Sequence, residues 1–370
     1  QAHLPPKEAV VAYFTGKQRW YVIFISVEQV VFETLPAVEQ LAVWQENARN
    51  NLKMTGEDGI RIFAQAAHQL YRSLLPAAAR SKTLERLLII PDGELAYLPF
   101  DLLLTQKPLG NNVRDFPFLF RNSSLAYAYS WAIQELNGDR APDATRLLHV
   151  APIFEADPGY HLPLSAAPLP ATQPWQPTTL LRNAATRANF LARGQSYGLL
   201  HLASHATACD TLLREPAILC SDSLLYLRDI QNAQFTAHLV VLSACDAGIG
   251  NVQRGEGIMS LARGFAYAGV PSVVSTLWKI NERTTYQLLD RFYYHLSTGK
   301  AKDEALRQAK LDFLASCSDV QLAPYYWAGL VTIGDQQSVV TRERWPQPIA
   351  FLAPLLLSLV LIIFWWYKRR

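Results

Sequence analysis

Cysteine is scarce. Cys209, Cys220, Cys245 and Cys317 are the four in 370 residues, and no CxxC pair occurs. That excludes a disulfide framework or a cysteine-rich zinc module and leaves thiols free for chemistry. A charge excess is also missing: 34 Lys and Arg against 31 Asp and Glu leave +3, too near neutral for a nucleic-acid binder. With 18 glycines and 22 prolines, collagen-like and low-complexity chains are excluded. No GxxxxGK[ST] motif is present, and Gly248-Ile249-Gly250 followed by Gln253 does not complete GxGxxG, so nucleotide binding has no support. What is present is apolar. Half of the residues are hydrophobic, enough for a large globular core.

The longest uncharged apolar run closes the chain. Residues 349–367 (IAFLAPLLLSLVLIIFWWY) carry no charge, end in Trp365, Trp366 and Tyr367, and are followed by Lys368, Arg369 and Arg370. About 20 apolar residues are needed to cross ~30 Å of hydrocarbon, and Trp and Tyr favour the interface. A single-pass membrane helix over 349–367 with a basic tail over 368–370 is therefore expected. The tail favours a cytoplasmic C-terminus, whereas Arg342 and Arg344 before the run oppose it, so the side of the globular part stays open. The chain opens at Gln1 and reads as a piece of something longer.

Alternating apolar positions over residues 10–35 predict three antiparallel strands, and helical spacing follows over 37–50 and 60–75. A short apolar run, Leu87 to Ile90, then ends at Pro91-Asp92-Gly93. Five prolines (Pro163, Pro168, Pro170, Pro174 and Pro177) make residues 161–178 a long exposed loop or internal boundary. Beyond it, helices over 184–193, 256–268, 283–296 and 302–314 separate the apolar runs YGLLHLA, AHLVVLSA, PSVVSTL and AGLVTIG. That is the pattern of an α/β fold, with a parallel-type sheet covered on both faces. The charged stretch GKAKDEALRQAKLDF reads as a solvated helix face, with Ala305, Leu306, Ala309 and Phe313 turned to the core.

In such sheets the ligand crevice lies beyond the carboxyl ends of the strands. Two strand ends carry reactive groups there: YGLLHLA runs into Ser204-His205-Ala206, and AHLVVLSA into Cys245-Asp246-Ala247-Gly248. If those strands are neighbours, His205 and Cys245 meet at one rim. A thiol near its free pKa of ~8.5 is mostly protonated at neutral pH, so a neighbouring imidazole must share its proton before it attacks a carbonyl. Gly248 and Gly250 would turn the chain tightly and leave the Cys245 N–H facing the cleft, able to hold an oxyanion. His201, His205 and Cys209, four residues apart, would align metal ligands on a helix, but LLHLA reads as a strand, which separates them by ~13 Å. No metal site is expected, and His201 is assigned to the core or a sheet face.

The stretches LLIIPDGELAYLPFDLLL, LLHLASHA, LVVLSACDAG, GEGIMSLARGFAYAGVPSVVSTLW, GKAKDEALRQAKLDFL and PYYWAGLVTIGD resemble, in that order, the blocks of CHAT-domain proteases, caspase-like and separase-like cysteine peptidases of clan CD. The resemblance spans roughly residues 10–335. It implies a caspase-like mixed, mainly parallel sheet flanked by helices, and a cysteine endopeptidase acting on protein substrates without metal or organic cofactor. His205 matches the catalytic histidine and Cys245 the nucleophile, and the N–H groups of Ala206 and Cys245 match the oxyanion hole. Ala206 stands where the family usually has Gly. Glu282, shortly after Leu277-Trp278, matches the acidic residue that receives a basic P1 side chain, and Asp246 is a second carboxylate for that subsite.

The resemblance also implies a bacterial source, upstream tetratricopeptide repeats or a regulatory partner, and a catalytically silent N-terminal lobe. The expected division is a scaffold lobe over 1–160, the Pro-rich loop over 161–178, a catalytic lobe over 179–336, a linker over 337–348, then the membrane helix. A catalytically inactive caspase-like module that binds a partner peptide and signals at a membrane is the alternative. The reactivity of Cys245 separates the two.

Overall fold

A computed structural model describes residues 4–81, 83–132, 146–155, 161–168, 172, 175, 177–207, 215–243, 260–278 and 281–340. Cys209, Cys245, Asp246 and the 349–367 run lie outside them. No helix among the described residues is long and apolar enough to cross a membrane.

The N-terminal antiparallel ribbon forms as the alternation predicts: β1 (Glu8–Thr15), β2 (Trp20–Ser26) and β3 (Val30–Thr34). In β2 the buried positions are Trp20, Val22, Phe24 and Ser26, every second residue, as a strand with one covered face requires. Helices α1 (Val38–Asn50) and α2 (Gly56–Leu74) follow, then the short α3 (Ala77–Arg80), β4 (Arg86–Ile90) and β5 (Ser124–Tyr127). The strand β6 (Leu147–Ala151) precedes the Pro-rich stretch and β7 (Thr178–Leu181) ends it.

After α4 (Arg187–Gly194) come β8 (Leu199–Leu202), the small strands β9 (Ala206–Thr207), β10 (Ala217–Leu219) and β11 (Leu224–Tyr226), α5 (Leu227–Asn232) and β12 (Leu239–Leu242). The last elements among the described residues are α6 (Ser260–Tyr267), β13 (Ser272–Thr276), α7 (Glu282–Ser297), α8 (Lys302–Ser316) and β14 (Leu330–Gly334). One eleven-stranded sheet runs β3-β2-β1-β4-β5-β14-β13-β12-β8-β6-β7. It is mainly parallel. The antiparallel pairs are β1 with β2, β2 with β3, and β13 with β14. Strands β8, β12, β13 and β14 are buried along their whole length, so their apolar runs do not alternate. Strands β9, β10 and β11 form a separate antiparallel sheet.

One sequence expectation is corrected. The charges of α8 do not form a solvated face. Lys302, Asp303 and Lys310 are buried beside Ala305, Leu306, Ala309 and Phe313, and each has a partner across the fold. Lys302 Nζ lies 2.9 Å from Asp335, Arg86 Nε donates to Asp303 at 2.5 Å, and Lys310 Nζ lies 2.6 Å from Asp101. Charged groups enter an interior only when so paired, and a helix period alone does not reveal partners that lie far off in sequence.

Candidate functional site

Strands β6, β8 and β12 are parallel neighbours. In register, Leu202 faces Leu242, His201 faces Val241, and His149 of β6 faces His201. Both strand exits therefore reach one rim: Ala203, Ser204 and His205 leave β8 beside Ser243, which leaves β12. The backbone confirms the adjacency, since Ser243 N donates to Leu202 O at 3.0 Å.

The small sheet holds the segment around His205. Its carbonyl accepts from Leu219 N at 2.9 Å, Ser204 Oγ donates to Leu219 O at 2.5 Å, and Ala206 pairs with Ile218. The half-buried His205 ring lies 5.7 Å from the ring of Phe154. Phe154 and its neighbour Ile153 have φ of +57° and +73°. Left-handed backbone is unfavourable for both residue types, and for a β-branched Ile most of all.

Behind this rim lies a buried imidazole pair that the sequence did not single out. The His149 and His201 rings stack with centroids 4.8 Å apart, and His201 Nε2 lies 2.9 Å from Ser243 Oγ. Burial lowers the pKa of His149 to about 4 against a weaker opposing hydrogen bond to the Ser165 backbone. Burial, with His149 adding to it, holds His201 well below the usual range. Both rings are therefore neutral near pH 7. Only the strand register brings residues 52 positions apart into this pair, and no local motif announces it.

Glu282 is the first residue of α7. The preceding Asn281 caps the helix, its side chain accepting from Thr284 N at 3.1 Å, and a carboxylate in the first turn suits the helix dipole. Glu282 lines a cavity of about 60 Å³ together with His149, His201, Ser204 and Ser243. Its Oε1 accepts from the Leu164 and Ser165 N–H groups at 2.7 and 3.0 Å. The start of the Pro-rich stretch is thus no free loop, but a 3-10 turn, Pro163–Ala166, seated against α7.

The thiols that are described are poor nucleophiles. Burial pushes Cys220 up to about 12, and it raises Cys317 as well. No group of three or more His, Cys, Asp or Glu among the described residues could hold a metal ion.

The CHAT-domain family profile matches residues 64–335. The chain belongs to the CHAT-domain family. Comparison with curated protein sequences finds no match. Among solved structures, the CHAT chain is similar to the Saccharomyces cerevisiae separase–securin complex. The 2.6 Å structure gives a TM-score of 0.58 at 9 % identity, and the 3.0 Å structure 0.57 at 8 %; each alignment covers 89 % of this chain and 30 % of that one. The CHAT chain thus spans 30 % of the length of the chain it matches there. The Arg-specific cysteine proteinase gingipain R aligns at TM-score 0.46 and 11 % identity, over 77 % of this chain and 68 % of its own. The likeness to the separase chain establishes the caspase-like mixed α/β fold.

Proposed function

We propose that this CHAT domain is a cysteine endopeptidase using Cys245 and His205. The observation that carries the reading is the β8–β12 register, which brings Ser204-His205 and Ser243 to one rim. Two residues of chain, a reach of ~7 Å, lead from Ser243 to Cys245. The Cys245 thiolate attacks the peptide carbonyl and forms a C–S bond. The oxyanion is held by the Ala206 and Cys245 N–H groups. His205 takes the thiol proton and gives it to the leaving amine as the C–N bond breaks. Water then hydrolyses the thioester and returns the proton to Cys245. Neither step calls for a metal or organic cofactor.

Glu282, with Asp246 as a second carboxylate, gives the P1 subsite a preference for Arg or Lys, because a carboxylate pairs bidentately with guanidinium. The likeness to the separase–securin complex favours protein substrates and a regulatory protein partner, and we infer upstream tetratricopeptide repeats as one form of it. The 349–367 run anchors the enzyme to a membrane through a single span.

The test is labelling of Cys245 in the whole chain by iodoacetamide at neutral pH, comparing wild type with His205→Ala. A thiol activated by imidazole loses at least about tenfold in labelling rate without it. Equal rates in the two proteins would reject the dyad.

A further inference from the structure

Residues 162–168 form a strap that occupies the subsite assigned to P1. Leu162, Leu164, Ser165 and Ala167 line the same cavity as Ser204, Ser243 and Glu282. The cavity they leave is small, about 60 Å³. The one carboxylate that lines the cavity is already engaged by the Leu164 and Ser165 amides.

We propose that the strap is an internal stand-in for the P1 side chain: the Leu164 and Ser165 N–H groups hold the Glu282 carboxylate until a cationic residue displaces them. This rests on the reading of Glu282 as the P1 carboxylate. The resting enzyme is then latent, and the latency is selective for charge. Two neutral amides and a guanidinium compete for one carboxylate, and the charged, bidentate partner wins. A neutral P1 side chain has nothing with which to displace the strap.

The strap is built to leave. None of residues 163–166 is buried, so little apolar area opposes its release. Its hold is by hydrogen bonds: Leu162 N to Ile153 O at 2.9 Å, Tyr286 Oη to Pro168 O at 2.7 Å, and the His149 ring to the Ser165 backbone. Pro163 and Pro168 bracket the segment and restrict its free conformations, which lowers the entropy cost of reseating it.

Two measurements test this. The first is hydrogen exchange of the Leu164 and Ser165 amides with and without agmatine, an arginine side chain without its backbone. Slow exchange in the free protein that becomes fast with agmatine is expected. Slow exchange at the highest agmatine concentration would overturn the proposal. The second compares labelling of Cys245 by peptidyl-Arg and peptidyl-Ala chloromethylketones in wild type, Ser165→Pro, which deletes one strap N–H, and Tyr286→Phe, which loosens the Pro168 anchor. Ser165→Pro should raise the peptidyl-Ala rate by at least about tenfold, the weight of one charge-assisted hydrogen bond, and Tyr286→Phe by about threefold or more, the weight of a neutral one; both should leave the iodoacetamide rate unchanged. Unchanged peptidyl rates in both would overturn it. A Cys245 that no reagent labels would reject the peptidase reading, while amide exchange with agmatine still decides for or against the strap.

Discussion

His201 Nε2 and Ser243 Oγ, 2.9 Å apart, bridge the strand that leads to His205 and the strand that leads to Cys245. Ser243 Oγ also lies 3.4 Å from Leu202 O, so an Nε2–H tautomer of His201 satisfies both contacts, and His201 Nδ1 has no partner. Ser243→Ala would leave the buried ring with neither nitrogen bonded. An unsatisfied buried polar group costs about 1–3 kcal/mol. A lower urea midpoint at unchanged m-value is expected, and His201→Leu in the same protein should recover much of the loss because no orphan group remains. A Ser243→Ala midpoint equal to wild type would show that the bridge contributes nothing.

The imidazole pair makes stability depend on pH in a defined direction. His149 titrates near 4 when folded against ~6.5 when unfolded, and His201 is lowered in the same sense. Below ~6.5 the unfolded chain binds protons that the folded one refuses, so stability rises with pH from about 4 to 6.5 and is level above. His149 alone accounts for about 3 kcal/mol over that window, at ~1.4 kcal/mol per pKa unit. Urea midpoints at pH 4.5, 5.5 and 7.5 and constant ionic strength should show this. His149→Gln should flatten the slope; an identical slope would mean that other groups carry it.

Much of the architecture was legible because its signals are local. The ribbon β1 to β3, β4 and the runs that became β8, β12, β13 and β14 were readable from apolar period and length. The place of His205 three residues beyond a strand end was readable from the apolar run before it. The antiparallel seating of β14 beside β13 was not, since a buried apolar run reads the same in either direction. Nor were the His149–His201 stack and the strap on Glu282, which depend on register and on contacts about 120 residues apart. Helix α7 begins one residue before its expected start, and that residue is Glu282 itself.

Glu282→Gln separates the charge of the subsite from its shape. The amide oxygen can still accept from Leu164 and Ser165, so the strap keeps its seat, and the lost first-turn charge costs about 0.3–1 kcal/mol. The preference of Cys245 for a peptidyl-Arg over a peptidyl-Ala chloromethylketone should fall by about tenfold or more, as a charged pair becomes a neutral hydrogen bond. A preference that survives intact would move the P1 carboxylate elsewhere, with Asp246 the next to test.

The ion pair between Lys310 of α8 and Asp101, 2.6 Å apart with side chains 1 % and 7 % exposed, ties that helix to a turn over 200 residues earlier in the chain. Burial pushes the Asp101 pKa up and the Lys310 pKa down, and each partner opposes the shift of the other. Such a pair is costly to break and inexpensive to replace. Lys310→Met leaves a buried carboxylate without its cation and should lose about 3–5 kcal/mol, whereas Lys310→Met with Asp101→Leu should come within ~1–2 kcal/mol of wild type or exceed it. Urea unfolding of the two variants checks the contrast. If the single variant were as stable as the double, the carboxylate would have found water or another donor, and the pair would not be what joins helix to turn.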